Sequence, residues 1–437
     1  MKRNILELYY NYEAINESIN FIAPLIIERK NKLKRKLDDT KQFYDIVKKI
    51  SDVIREFKPT DELNENEIKE INIKITNKLL DLGLATINEN NEFTFNIKED
   101  IEPVKNIDEV IDSLRASNRN KRFLFNNAVV NCVTSYEQFV GFLFKSFYFQ
   151  NSNCVCKKAL TFEELKEIGS VEEAKNYLIN REIKDLMYGS IDDWQKHFKN
   201  NIKIKINHYE NNIKEINEIF LRRNLIVHNS SIVNSIYLKE IGNSDYKIDD
   251  PIESSTEYIN NVQKLLFVNA FYLGIFCIDK MGYSKDEKLE IANTFSFIAF
   301  NMMKNGKWEQ AKIIYSIIKE FELFSKEVKE MHNINYLLCR VNLNEDNIYE
   351  EIEKIDFSDK SNFLKMGYFA LMLKKDELIE TIKLMGTEVR TDMINEWPVF
   401  FRVREDKKYY NKVIKVINQK HDENKDLIKI NLGGNKS

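Results

Sequence analysis

The sequence predicts a mainly α protein with one small β-hairpin. Glycine and proline, which turn-rich β architectures need in number, are scarce, at 12 and 5 of 437 residues. Apolar residues recur at three- and four-residue spacing from the start of the chain, at Ile5, Leu8, Tyr9, Tyr12 and Ile15. A hydrophobic fraction of 43 % and a charged fraction of 31 % are ordinary for a globular chain of this length, which allows two or three domains.

Composition also limits the partners and the compartment. A net charge of −3 provides no global field that attracts nucleic acid, so an RNA-binding surface has to be local. Of the five cysteines, only Cys154 and Cys156 are close in sequence, which predicts neither a disulfide framework nor a zinc site. The longest apolar run, 265–278, contains Asn269 and is shorter than the ~18 residues of a membrane span. We therefore expect a reduced, cytoplasmic protein without a metal, a cofactor or a membrane anchor.

An N-terminal region, 1–104, is predicted to be helical with a small hairpin near its end. Residues 1–57 and 68–82 have the helical spacing of apolar residues. Two short runs, 84–87 and 93–96, then flank a turn rich in Asn and Glu, which is typical of a β-hairpin. Helices followed by such a hairpin fit a winged-helix-like unit, and a docked connector hairpin fits equally well.

The next region, 105–283, is predicted to be a helical bundle. The second half of its first helix, 107–149, is so apolar that it should lie in a core or an interface. Short helices over 163–194 are separated near Gly169 and Gly189. A long helix over 204–228 and a short one over 232–239 follow, and a Ser/Thr-rich sequence then caps a helix that reaches about residue 281.

The third region, 284–430, is predicted to be a degenerate helical repeat. Residues 305–311 have the pattern Asn-x-Gly-x-aromatic-x-x-Ala between two helices, which resembles a tetratricopeptide-type hairpin. Two further helix pairs, at 333–354 and 361–385, follow at unequal spacing. Such repeats present concave faces, so this region is a candidate binding site for a protein or small-molecule activator. Residues 431–437 are predicted to be a disordered tail.

One short pattern, Arg223-Asn224-x3-His228, carries the prediction of function. Asn224 and His228 share a helix face, whereas Arg223 lies about 140° from His228 and ~7.5 Å along the axis. Arg223 and His228 can therefore meet only if the helix ends or bends near His228, or if a second subunit supplies its own copy. The following Asn-Ser-Ser sequence favours a helix end, where the dipole favours a protonated imidazole.

These residue types suit the cleavage of RNA without a metal ion. A base must remove the proton of the 2′-OH, an acid must protonate the 5′-oxygen, and a cation must stabilise the charged transition state. Histidine can be the base or the acid, and arginine grips phosphate while staying protonated. Two copies facing each other across a two-fold axis would place two of each in one cleft, which favours a homodimer interface as the site.

The pattern resembles the signature of the HEPN superfamily, whose active members are metal-independent ribonucleases, and the resemblance covers roughly 105–282. It implies that Arg223 and His228 are catalytic and that Asn224 occupies the polar position of the motif. It also implies an acidic residue on an earlier core helix, for which Glu137 is the candidate. Two protomers would form one site that leaves cyclic-phosphate ends. Next to the motif, Arg222 and Asn229 are candidate substrate-binding residues.

Structural interpretations of the same residues remain open. Arg223 could form a salt bridge with Glu218 or Glu137, His228 could cap its own helix, and Arg222 could be a solvated surface residue.

The leading functional hypothesis is a cytoplasmic, homodimeric endoribonuclease that cleaves single-stranded RNA, with tRNA loops as candidate targets, in phage defence or as a toxin. One alternative is a non-catalytic dimeric scaffold that uses the HEPN-like and repeat regions. The other is a transcriptional regulator that uses 60–100 as a winged helix.

Overall fold

The computed structural model describes residues 1–56, 65–88, 93–95, 107–151, 159–242 and 245–433. It is 80 % helical, and the described residues contain 19 α-helices and one two-stranded sheet, which confirms the predicted fold class. The chain forms two compact units. The first consists of Met1–Ala14, Val129–Ile252 and Glu257–Ser437, and the second of Ile15–Ala128 with Glu253–Thr256.

The predicted N-terminal helices and hairpin are present. They are α1 (Lys2–Glu56), α2 (Glu65–Asp81), β1 (Ala85–Ile87) and β2 (Phe93–Phe95), and the strands pair antiparallel with Thr86 opposite Thr94. Gly83 ends α2 in the left-handed conformation, with φ 64°, which glycine adopts at no steric cost. Val53, Leu79 and Leu84 form a small core that joins the two helices to the hairpin.

The described residues of the predicted helical bundle contain eight α-helices. Thr161 and Ser190 cap the second and fourth of them through capping boxes, and Gly169 ends the second with φ 87°, so the predicted breaks near both glycines are confirmed. The helices are α3 (Ile107–Gln150), α4 (Phe162–Ile168), α5 (Val171–Met187), α6 (Ile191–His197), α7 (Asn207–Asn211), α8 (Ile213–His228), α9 (Ser235–Ile241) and α10 (Thr256–Cys277).

The second half of α3 lies in the core, as its apolar sequence predicts. Val129, Val133 and Leu143 are fully buried there. A polar network crosses this core: the Tyr136 hydroxyl donates to Oδ1 of Asn269 at 2.6 Å, and Nε2 of Gln195 donates to both groups at 3.1 Å. Because buried polar groups need partners, this network holds α3, α6 and α10 in one arrangement.

Most residues of helix α10 are buried. With the 3₁₀ turn that follows it, the segment Thr256–Lys280 is long and apolar enough to cross a membrane. However, 78 % of its apolar window is buried inside the protein, as in the central helix of a globular core.

Three helix pairs and three further helices follow at the C-terminal end. Gly306, with φ 71°, lies in the turn of the first pair, in the pattern that predicts a helix hairpin. The helices are α11 (Lys285–Lys304), α12 (Trp308–Ile318), α13 (Lys326–Asn342), α14 (Ile348–Glu353), α15 (Asn362–Met372), α16 (Lys375–Met385), α17 (Thr391–Glu396), α18 (Phe401–Glu405) and α19 (Lys407–Gly433). Of the predicted tail, 434–437 lie outside the described residues.

Candidate functional site

The helix that carries the Arg-Asn-x3-His pattern is shorter than predicted. Asn212, with φ −128° and ψ 28°, separates α7 from α8, and its Nδ2 donates to the carbonyl oxygen of His208 at 2.7 Å. Within α8, Ile216, Ile219 and Leu225 face the core, whereas Ile213 and Val227 are 40 % and 50 % exposed.

Arg223 forms an ion pair with Glu137 of α3. Its Nη2 donates to the Glu137 carboxylate, and its Nη1 donates to Oδ1 of Asn224 at 3.2 Å. The Arg223 and Glu137 side chains are 22 % and 24 % exposed. Burial raises the pKa of the Glu137 carboxyl above its usual value, and the neighbouring Arg223 charge opposes this effect. The structure thus brings together two predicted site residues, and the catalytic and the structural interpretations of Arg223 both include this contact.

His228 is the last residue of α8, so the predicted helix end is confirmed. A tight turn follows, in which Ser230 and Ser231 adopt φ 51° and 62°, and the amides of Asn229 and Ser231 both donate to the Leu225 carbonyl at 2.9 Å. Nδ2 of Asn229 donates to the carbonyl oxygen of Ile232 at 2.6 Å, so this side chain holds the turn.

His228 is the histidine that the fold leaves available for chemistry. It is exposed, on the face that it shares with the exposed Asn224, and within the described residues it makes no hydrogen bond or ion pair. The proposed capping of α8 by His228 is therefore not found.

The other four histidines have partners inside the fold. His197 pairs with the Tyr148 hydroxyl at 2.8 Å, His208 with the Leu265 carbonyl at 3.2 Å, His332 with the Ser296 hydroxyl at 2.8 Å and His421 with the Val389 carbonyl at 3.0 Å. Burial lowers the pKa of His197 and His208, and lowers that of His332 to about 4. These three therefore favour the neutral form, and His208 is half-buried.

Arg222 differs from the prediction in its environment. It is neither a solvated surface arginine nor an exposed phosphate ligand, because its side chain is only 8 % exposed. Its Nε donates to Oε1 of Glu218 at 2.7 Å, and its guanidinium lies 3.9 Å from the ring centroid of Tyr258. The Arg222 guanidinium, which would have to bind a phosphate, is already paired with Glu218 and in contact with the Tyr258 ring. We therefore assign Arg222 a structural role.

Arg222 belongs to a buried cluster that the sequence does not predict. The cluster is completed by Glu218, Tyr237 and Tyr258. The Glu218 carboxylate accepts hydrogen bonds from Tyr237 of α9 at 2.7 Å and from Tyr258 of α10 at 2.6 Å, besides that from Arg222. Only the four-residue spacing of Glu218 and Arg222 is a signal in the sequence. The tyrosines come from other helices, so nothing local predicts them.

Other candidate chemistry in the described part of the chain is limited. No group of three or more His, Cys, Asp or Glu side chains there could hold a metal ion. Cys132, Cys277 and Cys339 are buried free thiols, and burial raises the pKa of each. Cys154 and Cys156 lie outside the described residues.

A comparison with protein families identifies the segment that carries this site. Residues 94–266 match the model of the family described as RiboL-PSP-HEPN. The matched segment includes Glu137, the Arg-Asn-x3-His pattern and the buried Glu218 cluster. No curated protein and no solved structure matches the chain.

Proposed function

We propose that this chain, whose residues 94–266 belong to the HEPN family, is a metal-independent endoribonuclease that cleaves single-stranded RNA. The family suggests a nuclease or RNA-related role. The observation that supports the sharper proposal is His228 itself. It is exposed, has no hydrogen-bond or ion-pair partner among the described residues, and ends the helix on which Glu137 holds Arg223.

In this proposal His228 moves the proton and Arg223 binds the phosphate. The 2′-oxygen attacks phosphorus, a P–O2′ bond forms and the P–O5′ bond breaks. The proton of the 2′-OH goes to a base, and an acid returns one to the 5′-oxygen, which leaves a 2′,3′-cyclic phosphate and a 5′-hydroxyl. An imidazole can serve in either role near neutral pH. Glu137 and Asn224 each accept one hydrogen bond from the Arg223 guanidinium, which leaves further N–H donors for a phosphate.

A complete reaction needs both a base and an acid, and each subunit offers one exposed histidine. We therefore place the site at a homodimer interface, where a second His228 supplies the other role. The biological setting that we propose is phage defence or toxin action in the cytoplasm, with tRNA loops as candidate substrates. The C-terminal helix pairs would receive the activating signal.

The test is cleavage of total RNA in EDTA by the wild type and by His228→Ala and Arg223→Ala. Each variant should lose cleavage by about 100-fold or more, because each removes a group that acts in the transition state. Arg390→Ala is the control, since this arginine also pairs with a carboxylate, that of Asp392 at 3.1 Å, but directly precedes α17. The products should carry 5′-hydroxyl ends, which polynucleotide kinase labels without prior phosphatase treatment.

Equal cleavage by the wild type and both variants, with unchanged thermal melting, would rule out this site. An observation that favours a second function is the Glu137 pair itself, since a partnered arginine needs no catalytic explanation. A purified dimer that cuts no RNA, and whose expression is no more toxic than that of His228→Ala, would identify a non-catalytic dimeric scaffold.

A further inference from the structure

A row of tyrosines and cations runs along the outside of α5. Tyr177, Arg181, Lys184 and Tyr188 are spaced by four, three and four residues, so they share one face of the helix. Tyr177 is 43 % exposed and Tyr188 is 80 % exposed. The Arg181 guanidinium lies 5.8 Å from the ring centroid of Tyr177, and the Lys184 ammonium 5.9 Å from that of Tyr188. We call these four residues the tyrosine stripe.

One end of the tyrosine stripe adjoins the part of α3 that carries Glu137. Gly141 is one helical turn from Glu137 on the same face of α3, and a Cβ atom at Gly141 would lie 3.6 Å from Sδ of Met187. Met187 directly precedes Tyr188. Tyr188 therefore follows a residue that contacts α3 one helical turn from Glu137, and the stripe spans about 16 Å, the length of eleven helical residues.

A second set of contacts ties the same end to α8. Nε1 of Trp194 donates to the Leu186 carbonyl at 2.6 Å, and its ring centroid lies 5.8 Å from that of Phe220. Phe220 is three residues before Arg223, on the adjoining turn of α8. The last turn of α5 therefore contacts α3 through Met187 and is linked to α8 through Trp194 of α6.

The chemistry of the stripe fits a single-stranded nucleic acid. Exposed tyrosine rings can stack on unpaired bases, and cations between them can contact the phosphates that link those bases. Arg181 also pairs with Glu164 at 3.5 Å, whereas Lys184 is exposed and has no ion pair within the described residues. A duplex offers no free base faces, so paired rings and cations favour a single strand. With a net charge of −3, the protein needs such a local surface to hold RNA.

We propose that the tyrosine stripe binds single-stranded RNA and leads it to Arg223 and His228. The identity of the ligand rests on the proposed ribonuclease function, but the binding step does not need cleavage. Stacking on Tyr177 and Tyr188 would select unpaired segments of any sequence, because every base has a face that can stack.

Binding can be measured apart from cleavage in the His228→Ala protein, by fluorescence anisotropy of a short labelled oligouridylate. Adding either Tyr177→Ala or Tyr188→Ala should raise the Kd for the oligouridylate by about fivefold or more. Adding the corresponding Phe substitutions, which keep the rings, should change it by less than about twofold. The association constant K falls as salt rises, so log K plotted against log salt concentration has a negative slope. Lys184→Gln should make this slope shallower by about 0.7, as expected for the loss of one phosphate contact to a single strand.

The control is Tyr349→Ala in the same background. Tyr349 is also 43 % exposed and also has an arginine, Arg402, 5.9 Å from its ring centroid, but it lies on α14. Binding that is lost on changing Tyr177 and Tyr188 but kept on changing Tyr349 supports the proposal.

Three results would overturn the proposal. The His228→Ala protein could fail to bind the RNA, the Tyr349 variant could lose as much affinity as the stripe variants, or the stripe variants could alter dimerisation without altering RNA affinity. The last result would identify a surface for a second copy of the chain. Stripe-dependent binding by a wild type that never cleaves would preserve this proposal and refute the ribonuclease function. Stripe variants that cleave RNA and bind it with unchanged affinity would refute this proposal and preserve the ribonuclease function.

Discussion

At the scale of single residues, Glu137 is where burial and charge oppose each other. Its carboxylate accepts a hydrogen bond from Arg223, yet burial raises its pKa despite the neighbouring cation. A raised folded-state pKa means that the fold favours the protonated carboxyl. The contribution of Glu137 to stability is therefore fully present below the ordinary pKa of 4.5 and is lost as pH rises through the raised folded-state pKa.

The direction of this pH dependence of stability can be tested with Glu137→Gln, which removes the titrating carboxyl and keeps the size of the side chain. Between pH 7 and pH 4.5, urea unfolding should show the wild type gaining free energy of unfolding relative to the variant as pH falls. Glu164→Gln is the control with the opposite sign, because a hydrogen bond from the Thr161 amide lowers the pKa of that exposed carboxyl. A difference in the free energy of unfolding between wild type and Glu137→Gln that does not change with pH would contradict a raised pKa for Glu137.

At the scale of elements, the rotation of α8 determines which of two adjacent arginines is available. Arg222 points inward to the carboxylate of Glu218, to which Tyr237 of α9 and Tyr258 of α10 also donate. Three donors on one carboxylate connect three helices. Arg223, one residue later and about 100° around the helix, reaches Glu137 near the surface.

The two arginines should therefore respond differently to removal. Arg222→Ala leaves the Glu218 carboxylate buried without its cation, which should lower the free energy of unfolding by about 3–5 kcal/mol. Arg223→Ala removes a partly exposed pair, which should cost about 1 kcal/mol or less. Urea unfolding of both variants measures the difference. Equal stabilities would mean that the buried cluster does not anchor α8.

At the scale of the whole molecule, one glycine lies where α10 packs against two other helices. A Cβ atom at Gly274 would lie 3.1 Å from Cζ of Phe295 on α11 and 3.3 Å from Cζ of Phe139 on α3. Helix α11, at the start of the predicted repeat region, thus packs directly against the core of the region before it. Because interiors are tightly packed, there is no room for a methyl group without movement of both rings.

Gly274→Ala should accordingly lower the free energy of unfolding by about 1–3 kcal/mol through overpacking. Gly282→Ala is the matched control, since a Cβ there would meet only Oε1 of Gln150 at 3.4 Å, the end of a flexible side chain. Thermal or urea unfolding of the two variants gives the comparison. A Gly274→Ala protein as stable as Gly282→Ala would show that the contact between α10 and α11 is loose.

The sequence by itself determined the helices, the hairpin and the candidate residues at the end of α8. These features depend on neighbours in the chain: the spacing of apolar residues, Ser and Thr caps, and Gly83, Gly169 and Gly306 at left-handed positions. The Arg-Asn-x3-His pattern is equally local, as is the Asn-Ser-Ser sequence that ends the helix after His228.

Only the tertiary structure decided which side chains meet. Arg223 pairs with Glu137 of α3, whereas Glu218 pairs with Arg222. The packing of α8 against its neighbours also buries Arg222. Contacts between helices far apart in sequence depend on how faces pack, and a shift of one residue turns a helix face by about 100°, which local patterns do not determine.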